Sequence, residues 1–372
     1  MKDILVIGAG KIGSVVAELL VNTPEEGGYR VTVADRSAAL LAQIDADPRR
    51  SARLSTLALD VNDLARLRAA LQGRYAVLSA APYHLTLQVA RAALDAGVHY
   101  LDLTEDVAST RAIRALAPGA RTALIPQCGL APGFISIVAA DLARRFDSLD
   151  SVRMRVGALP AYPSNALNYN LTWSTEGVIN EYCEPCEAIV DGRLCAVPAL
   201  EEREEFSLDG VLYEAFNTSG GLGTLCETLA GQVRTLNYRT IRYPGHAAIM
   251  KALLHDLRLK DRRDVLKDIL EQALPSTMQD VVIVFVTVAG LRDGRLQQDT
   301  YARKIYSHVL AGKMRSAIQI TTASSLCAML DLLAAGDLPQ RGFVRQEEVP
   351  LASFLANRFG RAYAADALAH AA

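Results

Sequence analysis

The sequence has no run of like charge, no basic or acidic arm, no internal repeat and no low-complexity tract. With a formal net charge of −2, it offers little for nucleic acid or an anionic membrane surface to hold, and neither partner is expected. No apolar stretch reads as long enough to span a bilayer, and the first strand-like run begins at Ile4, leaving no room for a signal peptide. A cytoplasmic protein is therefore the expectation. Cysteine is sparse, at positions 128, 183, 186, 195, 226 and 327, and would be reduced in that compartment, which excludes a disulfide framework. Cys183-Glu-Pro-Cys186 has the spacing of half a zinc or redox site, but no second Cys pair or His-x-x-x-His accompanies it, so no metal is expected. Long flexible linkers are missing too. At 372 residues, 51% of them hydrophobic and 22% charged, the chain reads as two globular domains.

What is present begins at once. Ile4-Leu5-Val6-Ile7 reads as a buried strand, and Gly8-Ala9-Gly10-Lys11-Ile12-Gly13 opens a helical pattern that runs to about Val21. Such a turn cradles a dinucleotide. Gly8 allows the tight bend, Gly10 lets the backbone approach a pyrophosphate, and Gly13 lets the helix pack on the strand, while Lys11 and Ile12 stand at the helix N-terminus that faces the phosphates. A second run, Val31-Thr32-Val33-Ala34, ends in Asp35, at the distance expected of an acid on the ribose. Asp35 favours the free 2′-hydroxyl of NAD, whereas the adjacent Arg36 could neutralise it and hold a 2′-phosphate. NAD is preferred.

Strands and helices go on alternating, the grammar of a doubly wound parallel sheet of the Rossmann type, expected over residues 1–126. A third strand over 54–59 ends at Asp60-Val61, placed either to touch the adenine edge or to cap the next helix. The fourth strand ends in Ser79, Ala80 and Ala81, small side chains that leave room for a cofactor beyond the sheet. Pro82-Tyr83-His84 follow. A fifth strand over 98–103 carries Asp102, Thr104, Glu105 and Asp106 at its end; Asp106 reads as a helix cap, and Asp102 and Glu105 as active-site candidates. After a sixth strand, Gln127-Cys128-Gly129-Leu130-Ala131-Pro132-Gly133-Phe134 is a shaped turn between domains. Cys128 reads as a buried thiol.

From residue 151 the grammar changes. Residues 152–156 alternate like a half-buried strand, and 281–288 with 301–306 around Asp293-Gly294 read as an antiparallel hairpin. An α+β domain with a mixed or antiparallel sheet is expected over 127–314, serving substrate binding and dimerisation, with 315–372 returning to the first domain. Polar aromatic segments interrupt it: Tyr169 and Trp173 in one, Asn217 and Thr218 in another, Arg239 and Arg242 in a third. Each is either ordinary loop chemistry or part of a substrate site. Arg suits forked recognition of a carboxylate, and Arg242 is the first choice for that anchor, with Arg239 in reserve. Residues alone lead to a nicotinamide-dependent enzyme with a small polar substrate.

Along nearly its whole length the chain resembles the saccharopine dehydrogenase-like family. The resemblance lies in Gly8 to Gly13, Tyr100-Leu101-Asp102-Leu103, Gly129-Leu130-Ala131-Pro132-Gly133 and Thr240-Ile241-Arg242-Tyr243-Pro244-Gly245-His246. Within the family, residues 101–106, 168–174 and 215–220 look most like the lysine 6-dehydrogenase branch. That resemblance implies a homodimer that uses NAD to oxidise the ε-amine of L-lysine to 2-aminoadipate 6-semialdehyde, which cyclises to a piperideine carboxylate, with release of ammonia. Arg242 would hold the α-carboxylate. His84, Asp102 and Glu105 are the candidates for deprotonating or holding the ε-ammonium. A saccharopine-type amino-acid-condensing reductase is the alternative enzyme, and a non-catalytic nucleotide-binding sensor the alternative of another class.

Overall fold

The computed structural model describes residues 1–47 and 51–364. The chain divides into two units, one of residues 1–134 and 319–372, the other of residues 135–318. These divisions fall a little downstream of 126/127 and 314/315, and residues 365–372 of the expected return lie outside the described residues. The interdomain turn stays with the first unit because Phe134, fully buried, stacks on Tyr363 at 3.9 Å and packs on Phe354 at 5.2 Å.

In the first unit β1 (Lys2–Ile7), β2 (Tyr29–Asp35), β3 (Leu54–Ala58), β4 (Ala76–Ser79), β5 (His99–Asp102) and β6 (Ala123–Ile125) lie parallel in the order 3-2-1-4-5-6. This is the doubly wound sheet, with β1 beside β4 where the strand order reverses. The central strands are buried on both faces, which is why β1 and β4 read as continuous apolar runs. A seventh strand, Gly342–Phe343, pairs parallel with β6. Two residues carry no periodicity, so the sequence did not announce it.

One sequence expectation needs correction. Helix Ala317–Ala335, 19 residues, is long and apolar enough to cross a membrane by length and composition, but most of it is buried inside the protein. Its hydrophobicity is that of a core helix packed on all sides. Asp280 caps its start, accepting from the backbone N–H groups of Ala317 and Ile318.

The second unit is built on an eight-stranded mixed sheet. Its strands are β7 (Ser148–Pro160), β8 (Cys186–Val190), β9 (Arg193–Val197), β10 (Glu204–Leu208), β11 (Val211–Asn217), β12 (Val233–Arg242), β13 (Asp280–Arg292) and β14 (Arg295–Tyr306). The main path runs 10-11-12-7-13-14; β7 and β12 are parallel, the other neighbours antiparallel, and β8 with β9 joins at β12. Two of the polar segments are thus strand rather than interruption: residues 216–217 end β11, and Arg239 and Arg242 lie in β12. Three hairpins turn on Asp-Gly pairs with both residues at positive φ: Asp191-Gly192, Asp209-Gly210 and Asp293-Gly294. The first two carried the same sequence signal as the third and were missed. A layer of helices, with Tyr169 from the loop before them, packs Val178, Ile179, Tyr182 and Leu266 into one cluster with Phe216.

Phe134→Ala removes a fully buried ring and is expected to cost about 3–5 kcal/mol, read from the urea unfolding midpoint of the intact chain. A loss under about 1 kcal/mol would mean that the stack with Tyr363 does little to hold the returning segment.

Candidate functional site

In the first unit the candidate cofactor site lies beyond the C-terminal ends of β1 and β4. Gly8 sits at φ +102, and a Cβ there would meet the Ala80 carbonyl oxygen at 2.8 Å; one on Gly13 would meet the Gly8 oxygen at 1.9 Å. These two glycines serve the close approach of loop, helix and strand end. Gly10 differs: a Cβ on it would meet no protein atom within 4 Å. The helix that starts at Gly13 has Ile12 at its N-cap and no side-chain cap; Ser14 N–H is taken by the Gly10 carbonyl at 3.1 Å, and the positive end of the helix dipole is left to face an anion. The Lys11 side chain is exposed.

Asp35 ends β2 and ties this loop together. One carboxylate oxygen accepts from Ala9 N–H at 2.7 Å and the other from Ser37 N–H at 2.7 Å. Arg36 beside it is exposed. Asp60 forms a local turn, accepting from the Asn62 backbone and side-chain amides at 2.9 and 3.0 Å, while Val61 turns into the core and its carbonyl accepts from Gln88. Asp63, not Asp60, caps the following helix. Ser79 is buried with its hydroxyl unpartnered, Ala80 faces Gly13, and Ala81 packs at the edge of the core. Open backbone over Gly10, an uncapped helix start and a fixed carboxylate on the ribose side together fit a nicotinamide dinucleotide.

Asp102 ends β5 and is 1% exposed. Its Oδ1 accepts from the N–H groups of Thr104 and Gln127, both at 2.9 Å, and its Oδ2 from the Tyr100 hydroxyl at 2.8 Å. Burial pushes its carboxyl up to about 6, and the three donors offset only part of that. Gln127, at φ +65, is held in the left-handed region by this contact and by Cys128 N–H donating to the Asp102 carbonyl at 2.8 Å. Asp102 therefore braces the turn that follows β6, with both oxygens occupied. Cys128 donates to the Ile125 carbonyl, and burial pushes its thiol up, as befits a protonated spectator. Glu105 is half-buried in the loop between β5 and the helix Val107–Leu116, which Asp106 caps. His84 lies exposed in a short 3₁₀ turn, Tyr83–Leu85, its ring edge-on to Tyr83 at 5.9 Å and bonded to no backbone group among the described residues.

In the second unit a separate cluster is organised on β12. Facing residues in register share a sheet face and successive residues alternate, so Arg242 lies with Glu214, Phe216 and Thr240, and Arg239 with Ala215 and Asn217 on the other side. Arg239 is paired with Glu202 and Glu204, both at 3.0 Å, which removes it as a carboxylate anchor. Asn217 shares that opposite face, reaching the Pro198 carbonyl, and is not brought to Arg242. Thr218 is: its hydroxyl meets that of Thr240 at 2.7 Å.

Arg242 is 3% exposed. Its Nε donates to the Tyr182 hydroxyl oxygen at 3.0 Å and its Nη1 to the Ile241 carbonyl at 2.8 Å. The guanidinium lies over the Tyr169 ring at 4.9 Å and near that of Tyr182 at 5.9 Å. Trp173 packs into the same cluster, where the Tyr169 and Thr172 hydroxyls are buried without a hydrogen-bond partner of good geometry. No carboxylate lies within ion-pair distance of Arg242 among the described residues. Sequence reasoning missed Tyr182 and singled out His246 only within a motif, because a lone Tyr in a helix and a His after a Pro-Gly turn carry no local signal of a shared site.

Residues 4–125 match the saccharopine dehydrogenase NADP binding domain, and residues 129–359 the saccharopine dehydrogenase C-terminal domain. The chain belongs to the saccharopine dehydrogenase family. It is 23% identical over 302 residues to saccharopine dehydrogenase [NADP(+), L-glutamate-forming] of Pyricularia oryzae, covering 78% of this chain and 65% of that protein. To mitochondrial alpha-aminoadipic semialdehyde synthase of Mus musculus it is 23% identical over 203 residues, 53% of this chain and 21% of that protein. The chain thus spans less than two thirds of these relatives. Apo saccharopine dehydrogenase (L-Glu forming) from Saccharomyces cerevisiae shares the fold, with a TM-score of 0.75 at 20% identity over 93% of this chain and 94% of that one. Family membership makes the first unit a nicotinamide dinucleotide domain.

The raised Asp102 carboxyl has a signed consequence. Its contribution to stability is complete below the ordinary value of 3.8 and is lost as pH rises through about 6. Asp102→Asn keeps the acceptor for Thr104 and Gln127 and does not titrate. Between pH 4 and pH 7 the wild type is expected to lose on the order of 2–3 kcal/mol relative to Asp102→Asn, read from urea unfolding at both pH values. A constant difference would show that the carboxylate is not penalised by burial.

Proposed function

We propose that this protein is a lysine 6-dehydrogenase. It oxidises the ε-amine of L-lysine with NAD to 2-aminoadipate 6-semialdehyde, which cyclises, and releases ammonia. The observation that carries this reading is Arg242, a buried guanidinium walled by tyrosines and in ion-pair contact with no carboxylate among the described residues, the buried Glu181 acting on it only at longer range. Such a group suits the single α-carboxylate of a small amino acid. The name of one relative, alpha-aminoadipic semialdehyde synthase, contains the proposed product. NAD is preferred because the fixed Asp35 carboxylate would accept from a free 2′-hydroxyl and repel a 2′-phosphate, although the family's domain and the first relative are named for NADP.

An ammonium has no lone pair with which to expel hydride, so the ε-nitrogen must first lose a proton. His84, whose exposed ring is bonded to no backbone group among the described residues, is the acceptor we assign, because a ring nitrogen offers a lone pair for the proton. Asp102 supports the turn, and Glu105 orients the ammonium. When bound, the nicotinamide ring supplies the hydride acceptor. Water then adds to the oxidised carbon and ammonia leaves, while Arg242 keeps the α-carboxylate in place.

NADH formation with L-lysine, with ammonia measured in parallel, tests the activity, and the same assay with NADP tests the cofactor. Saccharopine is the second substrate to try, because the first relative's name favours a condensing reductase; glutamate formation in place of ammonia would establish that reading instead. Tight NAD binding with no turnover on either would make the protein a sensor. In Arg242→Ala the KM for lysine is expected to rise by about 10- to 100-fold, the loss of a charged hydrogen-bond pair. An unchanged KM would move the carboxylate elsewhere.

A further inference from the structure

Arg242 does not stand alone. On the helix Thr175–Cys183, Tyr182 receives the Arg242 Nε–H at 3.0 Å, and its hydroxyl lies 3.0 Å from His246 Nε2. The other ring nitrogen, His246 Nδ1, lies 2.9 Å from the Leu167 carbonyl oxygen. His246 is 1% exposed and Tyr182 is fully buried.

The polarity of this chain is determined at one end. A carbonyl can only accept, so His246 Nδ1 must carry the proton and donate it to Leu167. Burial and the nearby Arg242 charge hold the imidazole at about 3, so the ring is neutral and Nε2 is a bare acceptor. The Tyr182 hydroxyl must then point its hydrogen at His246. That leaves its oxygen lone pairs for Arg242, which can only donate. With Nε committed to Tyr182 and Nη1 to Ile241, the guanidinium is fixed in rotation, and its Nη2 edge is the one without a backbone or tyrosine partner.

A second device keeps the charge available. Glu214 faces Arg242 directly across the β11–β12 pair and is fully buried. Its carboxylate is turned instead to the N–H groups of Gly245 at 3.1 Å and Ala247 at 2.7 Å, and to Arg203 at 3.3 Å. The same bonds seat the backbone on either side of His246. The carboxylate that faces Arg242 across the ladder is thereby spent on placing the residue that orients it, which leaves Glu181 as the carboxylate that acts on the guanidinium at longer range.

We propose that His246 and Tyr182 are positioning residues that orient Arg242 for a substrate carboxylate, with the Leu167 carbonyl setting the direction of every hydrogen bond between them. This rests on the reading of Arg242 as the carboxylate anchor. It predicts a specific pattern: loss of binding for ligands that bear the carboxylate, with chemistry after binding left largely intact.

The test uses the full-length protein with saturating NAD and two ligands, L-lysine and 1,5-diaminopentane, which is lysine without its carboxylate. Tyr182→Phe and His246→Leu are expected to weaken lysine binding, by KM and by calorimetric Kd, by about 5- to 20-fold, with kcat within about threefold and diaminopentane binding unchanged. His246→Gln, whose amide can still donate to Leu167 and accept from Tyr182, is expected to stay within about threefold of wild type. If His246→Leu does not fold, Tyr182→Phe preserves the shape of the site and decides alone. Equal losses for both ligands, or failure of the Gln variant to recover lysine binding, would overturn the proposal. Should Arg242→Ala itself leave lysine binding unchanged, the anchor reading fails; should Arg242→Ala weaken it while Tyr182→Phe and His246→Leu do not, the anchor stands and the relay is wrong.

Discussion

Among the described residues, four carboxylates hold turns or helix starts by each accepting two backbone N–H groups. Asp35 takes Ala9 and Ser37, Asp102 takes Thr104 and Gln127, Glu214 takes Gly245 and Ala247, and Asp280 takes Ala317 and Ile318. Turns and helix starts expose donors that the regular ladders cannot use, and leaving them buried and unmade is expensive. An acceptor with two oxygens satisfies a pair at once. The arrangement costs desolvation, seen in the raised carboxyls of Asp102 and Asp280, both at about 6. In return the glycine loop, the turn after β6, the start of the helix at His246 and the start of the long core helix are each held in one geometry.

Arg242 inverts that logic. Here a buried cation is satisfied by neutral oxygens, a phenol and a carbonyl, and by aromatic faces. Among the described residues no carboxylate pairs with it directly, and Glu181 acts on it only at longer range. Arg155 and Arg239 in the same sheet are treated differently: both are paired to Glu204, and Arg239 also to Glu202. A buried pair is largely a matter of structure, whereas an unneutralised buried charge is held ready for an anion from outside. Geometry thus separates two arginines three residues apart that composition treats alike.

The order of strands and helices in the first unit, its glycine loop and Asp35 were legible because their signals are local: apolar runs bounded by Gly and Asp within some thirty residues. The hairpin at Asp293-Gly294 was legible for the same reason. Other features were not. The strand Gly342–Phe343 and the Phe134–Tyr363 stack join segments far apart in the chain, and the apolar helix Ala317–Ala335 exceeds the length the sequence was credited with. Asp102 read as an active-site acid; only its three donors, one of them Gln127 in the next turn, mark it as a brace.

By itself the sequence determined that a dinucleotide-binding unit opens the chain, that a second unit of different grammar follows, and that Arg242 deserved attention. The family's motifs lie along the chain and need no partner to be read. Tertiary structure decided the rest: that Arg242 and Arg239 face opposite sides of a sheet, that Asn217 goes with the wrong one, and that Tyr182 and His246 stand behind the right one. The reason is register. Side chains alternate along a strand, so the face a residue takes depends on pairing with distant strands, and no local pattern contains that information.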